Sequence, residues 1–153
     1  MSCRVEGPSL GVAALCEPIL RSLPGWFGIE EAIVQYAAEI DGLPTLLARD
    51  GDQLAGFLSV KQHNPYSAEV YVMAVRMEMH RKGIGRALVS QAEEWLSGQG
   101  VEYLQVKTLG PSHSDPGYAE TRAFYLAVGF RPLEEFGQIW DERNPCLVMV
   151  KRL

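Results

Sequence analysis

The sequence predicts a mixed α/β fold, in which a mixed sheet carries helices on its faces. Three observations carry that prediction. Two apolar runs, Thr45 to Arg49 and Leu54 to Val60, are separated by Asp50-Gly51-Asp52-Gln53, and Asp-Gly between such runs is a strong hairpin signal. Ala68 to Val75 (AEVYVMAV) is nearly continuous in apolar character, as in a strand buried on both faces. Gly83 to Ser97 then places Ile84, Leu88, Ala92 and Trp95 on one face of a helix.

The remaining elements follow in chain order. Cys3 to Glu6 reads as a short first strand. Gly11 to Leu23 carries Val12, Leu15, Ile19 and Leu23 at helical spacing, with Pro18 expected to kink it. Pro24-Gly25 ends that helix, and Ile29 to Ile40 forms a second, closed by Asp41-Gly42. After the central strand and helix, Gly98 and Gly100 mark a helix end. Tyr103 to Leu109 is the next strand. The loop GPSHSDPG leads into a helix from Tyr118 to Val128, stopped by Gly129, and Leu133 to Trp140 and Cys146 to Arg152 are late strands. The two strand–helix–strand crossings in the middle predict parallel neighbours, and the hairpins at both ends predict antiparallel ones.

Length and composition narrow the function. A chain of 153 residues predicts one domain, residues 1–153, able to bury a core without staples. Its 14 basic and 19 acidic residues leave a net charge of −5, which argues against nucleic acid as a partner and fits amines or basic peptides better. Three cysteines without a CxxC imply no disulfide framework. Three well-separated histidines show no metal-ligand spacing, so no metal is expected. The N-terminus lacks a signal-peptide pattern, and no stretch reaches the roughly 18 apolar residues of a membrane helix. The expectation is a cytoplasmic protein without a membrane partner.

Three segments carry candidate chemistry. His80-Arg81-Lys82-Gly83-Ile84-Gly85-Arg86 lies between the buried strand and the amphipathic helix. Two glycines one residue apart let the backbone turn tightly and approach a ligand. The unpaired N–H groups and positive dipole end of a helix start then form an anion site. Arg81, Lys82 and Arg86 add positive charge, so a phosphate or pyrophosphate cradle is predicted. Neither GxxxxGK[ST] nor a full GxGxxG is present, which disfavours P-loop and dinucleotide sites. In the second segment, Ala119, Ala123 and Leu126 are read as one helix face and Tyr118, Thr121 and Tyr125 as another. A tyrosine on a non-core face can offer its hydroxyl as a proton donor, although packing with a wetted tip is the ordinary role. The third is Glu69, where the buried strand begins. A carboxylate drawn into an apolar run suits general-base work near neutral pH, and a solvated strand end is the plainer alternative.

These three pieces, in this order, resemble the GNAT superfamily of acyl-CoA N-acyltransferases, from Thr45 to Leu153 and most densely from Glu69 to Phe130. The family's [QR]-x-x-G-x-[GA] loop is matched at Gly83 and Gly85, with His80 in the leading place. Its A-x-x-F-Y-x-x-x-G-F pattern is matched at Phe124, Tyr125, Gly129 and Phe130, with Thr121 where Ala is usual and Tyr118 where an Asn often contacts CoA. The resemblance implies a central, mostly antiparallel mixed sheet of about six or seven strands, splayed in the middle and flanked by about four helices. It implies acetyl-CoA as co-substrate, held by residues 81–86 and by Met73, Ala74 and Val75 at a bulge near the end of the buried strand. Glu69 inherits the role of general base and Tyr125 that of the acid protonating the leaving thiolate.

The implied function is transfer of an acetyl group to a primary amine, in a small molecule, peptide or protein lysine, by direct attack in a ternary complex. A catalytically inactive acyl-CoA-binding sensor or scaffold is the alternative. Hydrolase chemistry has no GxSxG or ligand run to support it. Trp26, Phe27, His63 and Trp140 are acceptor-side candidates. A homodimer is compatible with the family pattern.

Overall fold

A computed structural model describes residues 3–153. The chain runs β1 (Cys3–Ser9), α1 (Ala13–Arg21), α2 (Glu30–Ile40), β2 (Thr45–Asp50), β3 (Gln53–Gln62), β4 (Ser67–Val75), α3 (Ile84–Gly98), β5 (Tyr103–Leu109), α4 (Pro116–Ala127), β6 (Arg131–Asp141) and β7 (Asn144–Arg152). One seven-stranded sheet has the order β1-β2-β3-β4-β5-β7-β6. All neighbours are antiparallel except β4 and β5. The mixed, mostly antiparallel sheet with four helices agrees with the expected class.

Local chemistry accounts for the element ends. Gly51, at φ 63°, turns the β2–β3 hairpin where Asp50-Gly51 predicted it. The α1 helix continues through Pro18, and its first turn is capped from a distance: Asp41 Oδ1 accepts from the Ala13 N–H at 2.9 Å. For α4, Asp115 Oδ1 accepts from the N–H groups of Gly117 and Tyr118, with Pro116 at the first helical position. At the other end of α4, Lys151 Nζ donates to the Val128 carbonyl and to Glu93 of α3, both at 2.6 Å.

The sheet separates two cores. Leu88, Ala92 and Leu96 of α3 and Tyr125 of α4 pack on one face with Val70, Leu104, Val106 and Phe130. Cys16, Ile19 and Leu20 of α1 and Ile33 and Ile40 of α2 pack on the other with Phe57, Val72 and Ala74.

Two expectations are corrected. The crossing through α3 does give parallel neighbours, β4 and β5. The crossing through α4 does not, because β7 inserts between β5 and β6 and pairs antiparallel with both. The rule for crossovers fixes handedness within a sheet and leaves room for a later strand to take the intervening place. The faces of α4 are also reversed. Ala119, Ala123 and Leu126 are exposed, whereas Tyr118 and Thr121 are half-buried and Tyr125 is buried. Large aromatic rings bury more apolar area than alanine methyls, so the aromatic stripe takes the inner face.

Candidate active site

The sheet parts at one place. β4 and β5 pair from Ser67 with Tyr103 to Val70 with Val106, and no further. Beyond that point β4 stays with β3 to Val75, and β5 stays with β7 to Leu109. The β3–β4 register shifts between Val60 opposite Val70 and Ser59 opposite Val72, so Tyr71 is an extra residue, a bulge at the parting. The bulge was expected nearer Val75; it lies where β4 must swing away from β5. A cleft of about 670 Å³ opens between the two halves.

Ladder alternation says which backbone groups face it. The Arg76 N–H donates to the Ala55 carbonyl at 2.8 Å. In an antiparallel ladder the hydrogen-bonded pairs recur every second residue. In that register Ala74 and Val72 also direct their N–H and C=O toward β3, opposite Phe57 and Ser59. Met73 and Val75 therefore direct theirs away from β3, into the cleft. This corrects the expectation for Ala74, whose backbone is used by the sheet even though the residue lines the cleft.

The basic loop closes one end. Arg81 takes a left-handed φ of 66°, rare for a side-chain-bearing residue, and Gly83 follows at φ 82° as the residue before α3. Alternating hand along a short segment turns successive N–H groups inward, the geometry of an anion nest. Arg81, Gly83, Ile84, Gly85 and Arg86 line the cleft, and Lys82 does not. The Ile84 side chain is core, so its contribution to the loop is its backbone. A Cβ on Gly85 would lie 3.1 Å from Phe124 Cζ, so glycine lets α3 and α4 approach closely. His80, in the leading place, ties loop to strand: its Nε2 donates to the Val75 carbonyl at 2.8 Å. The Val75 N–H remains available.

Tyr125 lines the cleft from α4, wedged edge-to-face between Phe124 and Phe130 at 5.3 and 5.4 Å. Burial pushes its hydroxyl well above the ordinary tyrosine value, and Tyr118 adds to the shift. Opposite, on β5, Thr108 lines the cleft at 4% exposure. Its Oγ1 is the one fully buried side-chain oxygen or nitrogen among the described residues without a hydrogen-bond partner. A hydroxyl in that state is costly unless a ligand satisfies it, so this wall fits a bound group with polar atoms.

Glu69 is 5% exposed and is not on the cleft wall. Its Oε1 receives Lys107 Nζ at 2.9 Å and His63 Nε2 at 2.7 Å. Lys107 lies one residue past the parting and does line the cleft. Of the acceptor-side candidates, Trp26, Phe27 and Trp140 line the cleft, and His63 stands behind it on Glu69. Trp26 also bridges to α4: its Nε1 donates to Thr121 Oγ1 at 3.2 Å, and the Tyr118 hydroxyl donates to the Trp26 carbonyl at 3.1 Å. Tyr118, which stands where family members often carry an Asn, thus holds the α1–α2 connection.

Sequence reasoning missed Thr108, Lys107, Tyr36 and Tyr71, all of which line the cleft. Lys107 and Thr108 carried a usable signal, since they follow Val106 in the strand expected to form one wall. Tyr36 carried none, because nothing local connects the second helix to β4. Among the described residues no group of three or more His, Cys, Asp or Glu side chains could hold a metal. No helix there is long and apolar enough to cross a membrane.

A sheet parted at a bulge, with a basic nest before the following helix, defines the class: the fold is that of GNAT acetyltransferases. A GNAT-family protein from Desulfovibrio desulfuricans superposes with a TM-score of 0.85 at 18% identity, over 99% of each chain. The PaiA N-acetyltransferase of Thermoplasma acidophilum, in complex with coenzyme A, gives 0.78 at 18% identity over 100% of each. The family is shown by sequence: a model of the acetyltransferase (GNAT) family matches residues 14–130, and the chain belongs to that family. A protein of Chlorobaculum tepidum described as an uncharacterized N-acetyltransferase is 32% identical over 97 residues, covering 61% of this chain. The match spans only 56% of that relative's length.

Proposed function

We propose that this protein transfers an acetyl group from acetyl-CoA to a primary amine by direct attack in a ternary complex. The observation that carries the reading is the parting at Val70 and Val106, which frees the backbone of Met73 and Val75 beside a basic helix start. A pantetheine arm has amides that can pair with such a free strand edge, much as an added strand does. Its pyrophosphate suits the N–H groups of residues 83–86 with Arg81 and Arg86 alongside. Acetyl-CoA supplies a thioester carbonyl open to attack.

The chain's own groups divide the work. Glu69 accepts a proton from the incoming ammonium, directly or through water, leaving a free amine to attack. The Val75 N–H donates to the oxygen that becomes negative, a contribution of about 3 kcal/mol. Tyr125, held in its protonated form by burial, gives its proton to the sulfur as the carbon–sulfur bond breaks. As the intermediate collapses its nitrogen gives up its second proton to solvent, Glu69 releases its proton to solvent, and solvent restores the proton to Tyr125; the products are an amide and a free thiol.

One observation favours a second reading, acyl-CoA binding without transfer: the Glu69 carboxylate lies behind Lys107 rather than on the wall. A calorimetric titration with acetyl-CoA, followed by thiol release across a panel of amines, separates the two. Micromolar binding, about −8 kcal/mol, with amine-dependent release and intersecting initial-rate lines supports transfer. Binding with no release for any amine supports the second reading, and no binding at millimolar ligand removes both.

Thr108 offers a sharper probe of the cofactor wall. Thr108→Val keeps the shape and removes the unpartnered hydroxyl, so the free protein should gain about 1 kcal/mol of stability. Acetyl-CoA should bind roughly 3- to 10-fold more weakly, as expected for one lost hydrogen bond. Unchanged affinity in the same titration would remove Thr108 from the binding surface.

A further inference from the structure

The chain's lysines are Lys61, Lys82, Lys107 and Lys151. Lys107 alone among them lines the cleft. Lys61 and Lys82 are exposed, and Lys151 is taken up by Glu93 and the Val128 carbonyl. Lys107 is also the first residue of β5 past the parting, where β4 no longer pairs with its strand.

The Lys107 ammonium already rests on the carboxylate assigned as base. Its Nζ donates to Glu69 Oε1 at 2.9 Å, and the two side chains are 26% and 7% exposed. His63 Nε2 meets the same oxygen at 2.7 Å. Lys61 stands directly opposite Glu69 in the β3–β4 ladder, yet its Nζ lies over the Tyr71 ring, 5.6 Å from the centroid. Lys107 is therefore the lysine that Glu69 holds. Because Lys107 is on the cleft wall and Glu69 is not, an ammonium reaching for the base from the cleft meets Lys107 first. The amine best placed to lose a proton to Glu69 is the chain's own.

We propose that Lys107 is a self-acetylation site, which takes an acetyl group from acetyl-CoA bound in the same cleft. This rests on the acetyl-transfer reading. Lys107 gives one proton to Glu69 along the existing hydrogen bond, which cancels both charges of the pair. The neutral amine, on a flexible stem, is then free to swing into the cleft. Its nitrogen attacks the thioester carbon, the carbon–sulfur bond breaks, and Tyr125 protonates the sulfur. The second proton of the nitrogen and the proton on Glu69 pass to solvent, which restores Tyr125. The products are an Nε-acetylated Lys107 and a free thiol.

The test incubates the full chain with acetyl-CoA and no amine, and follows acetylation by intact mass and peptide mapping. One acetyl group should appear on Lys107 about tenfold or more faster than on Lys61 or Lys82, as expected for a positioned amine. The rate per chain should not change with protein concentration. Glu69→Gln keeps an oxygen for Lys107 and should slow its acetylation roughly 100-fold, with Lys61 and Lys82 unaffected. Lys107→Arg keeps a cation for Glu69 and should remove the fast mass change. Acetylation spread evenly over the exposed lysines overturns the inference. So does a rate per chain that rises with protein concentration, or Lys107 acetylation that Glu69→Gln leaves untouched. Thiol release to free amines with Lys107 unmodified overturns the inference and leaves acetyl transfer standing. Bound acetyl-CoA with neither thiol release nor acetylation overturns both.

Discussion

Glu69→Gln should lower kcat/KM roughly 100-fold or more near neutral pH, the scale of a lost general base. The remaining activity should climb with pH toward roughly 10.4, where an alkyl ammonium loses its proton unaided. Glutamine keeps an oxygen for Lys107 and His63, which hold the carboxylate at 2.9 and 2.7 Å, so the fold should persist. A variant that loses activity equally at every pH would show Glu69 to be an anchor for Lys107 rather than a base. That outcome is a live physical alternative because the carboxylate is not on the cleft wall.

Tyr125→Phe should reduce turnover by roughly 100-fold, the scale of a positioned acid, with acetyl-CoA affinity held. The ring keeps its contacts with Phe124 and Phe130, so packing is preserved and only the donor is lost. Equal turnover would remove Tyr125 as the acid. The same residue predicts an alkaline limit on stability. Burial raises its folded-state value, as it does for Tyr36, Tyr71 and Tyr118. A raised value means the stabilising contribution is complete below the unfolded value, near roughly 10. It is lost as pH rises from there through the folded values, because the unfolded chain releases protons that the folded one retains. Melting temperature should therefore fall above about pH 10, and fall less steeply for Tyr125→Phe.

Much of the fold was legible because its signals are local. Asp50-Gly51 sets a hairpin, and the apolar stripe from Ile84 to Trp95 sets a helix that packs as expected at Leu88 and Ala92. The turn into α3 was legible for the same reason, since its glycines and the strand–helix context fall within seven residues. What could not be read depends on distant chain segments meeting. Tyr36 reaches Tyr71, and Glu69 reaches Lys107, only through the order of elements in space. The reversed faces of α4 reflect competition between two apolar stripes, decided by which one fits Phe130 and the core beneath it. Tyr118, a departure from the Asn of the family motif, has its hydroxyl engaged by the Trp26 carbonyl, a partner 92 residues away that no local pattern announces.

The place of β7 between β5 and β6 bears on how the protein comes into being. The far wall of the cleft, β5, is zipped along its length by residues 144–152. Until those residues leave the ribosome, β6 has no partner in the sheet and β5 is held only along Tyr103 to Val106 by β4. A nascent chain can close β1 to β4 early, since those strands pair in sequence order, but it waits for β7 to form the rest. Before β7 is added, the edge of β5 from Tyr103 to Leu109 and the edges of β6 are unpaired, which makes synthesis, rather than the finished fold, the stage most open to aggregation.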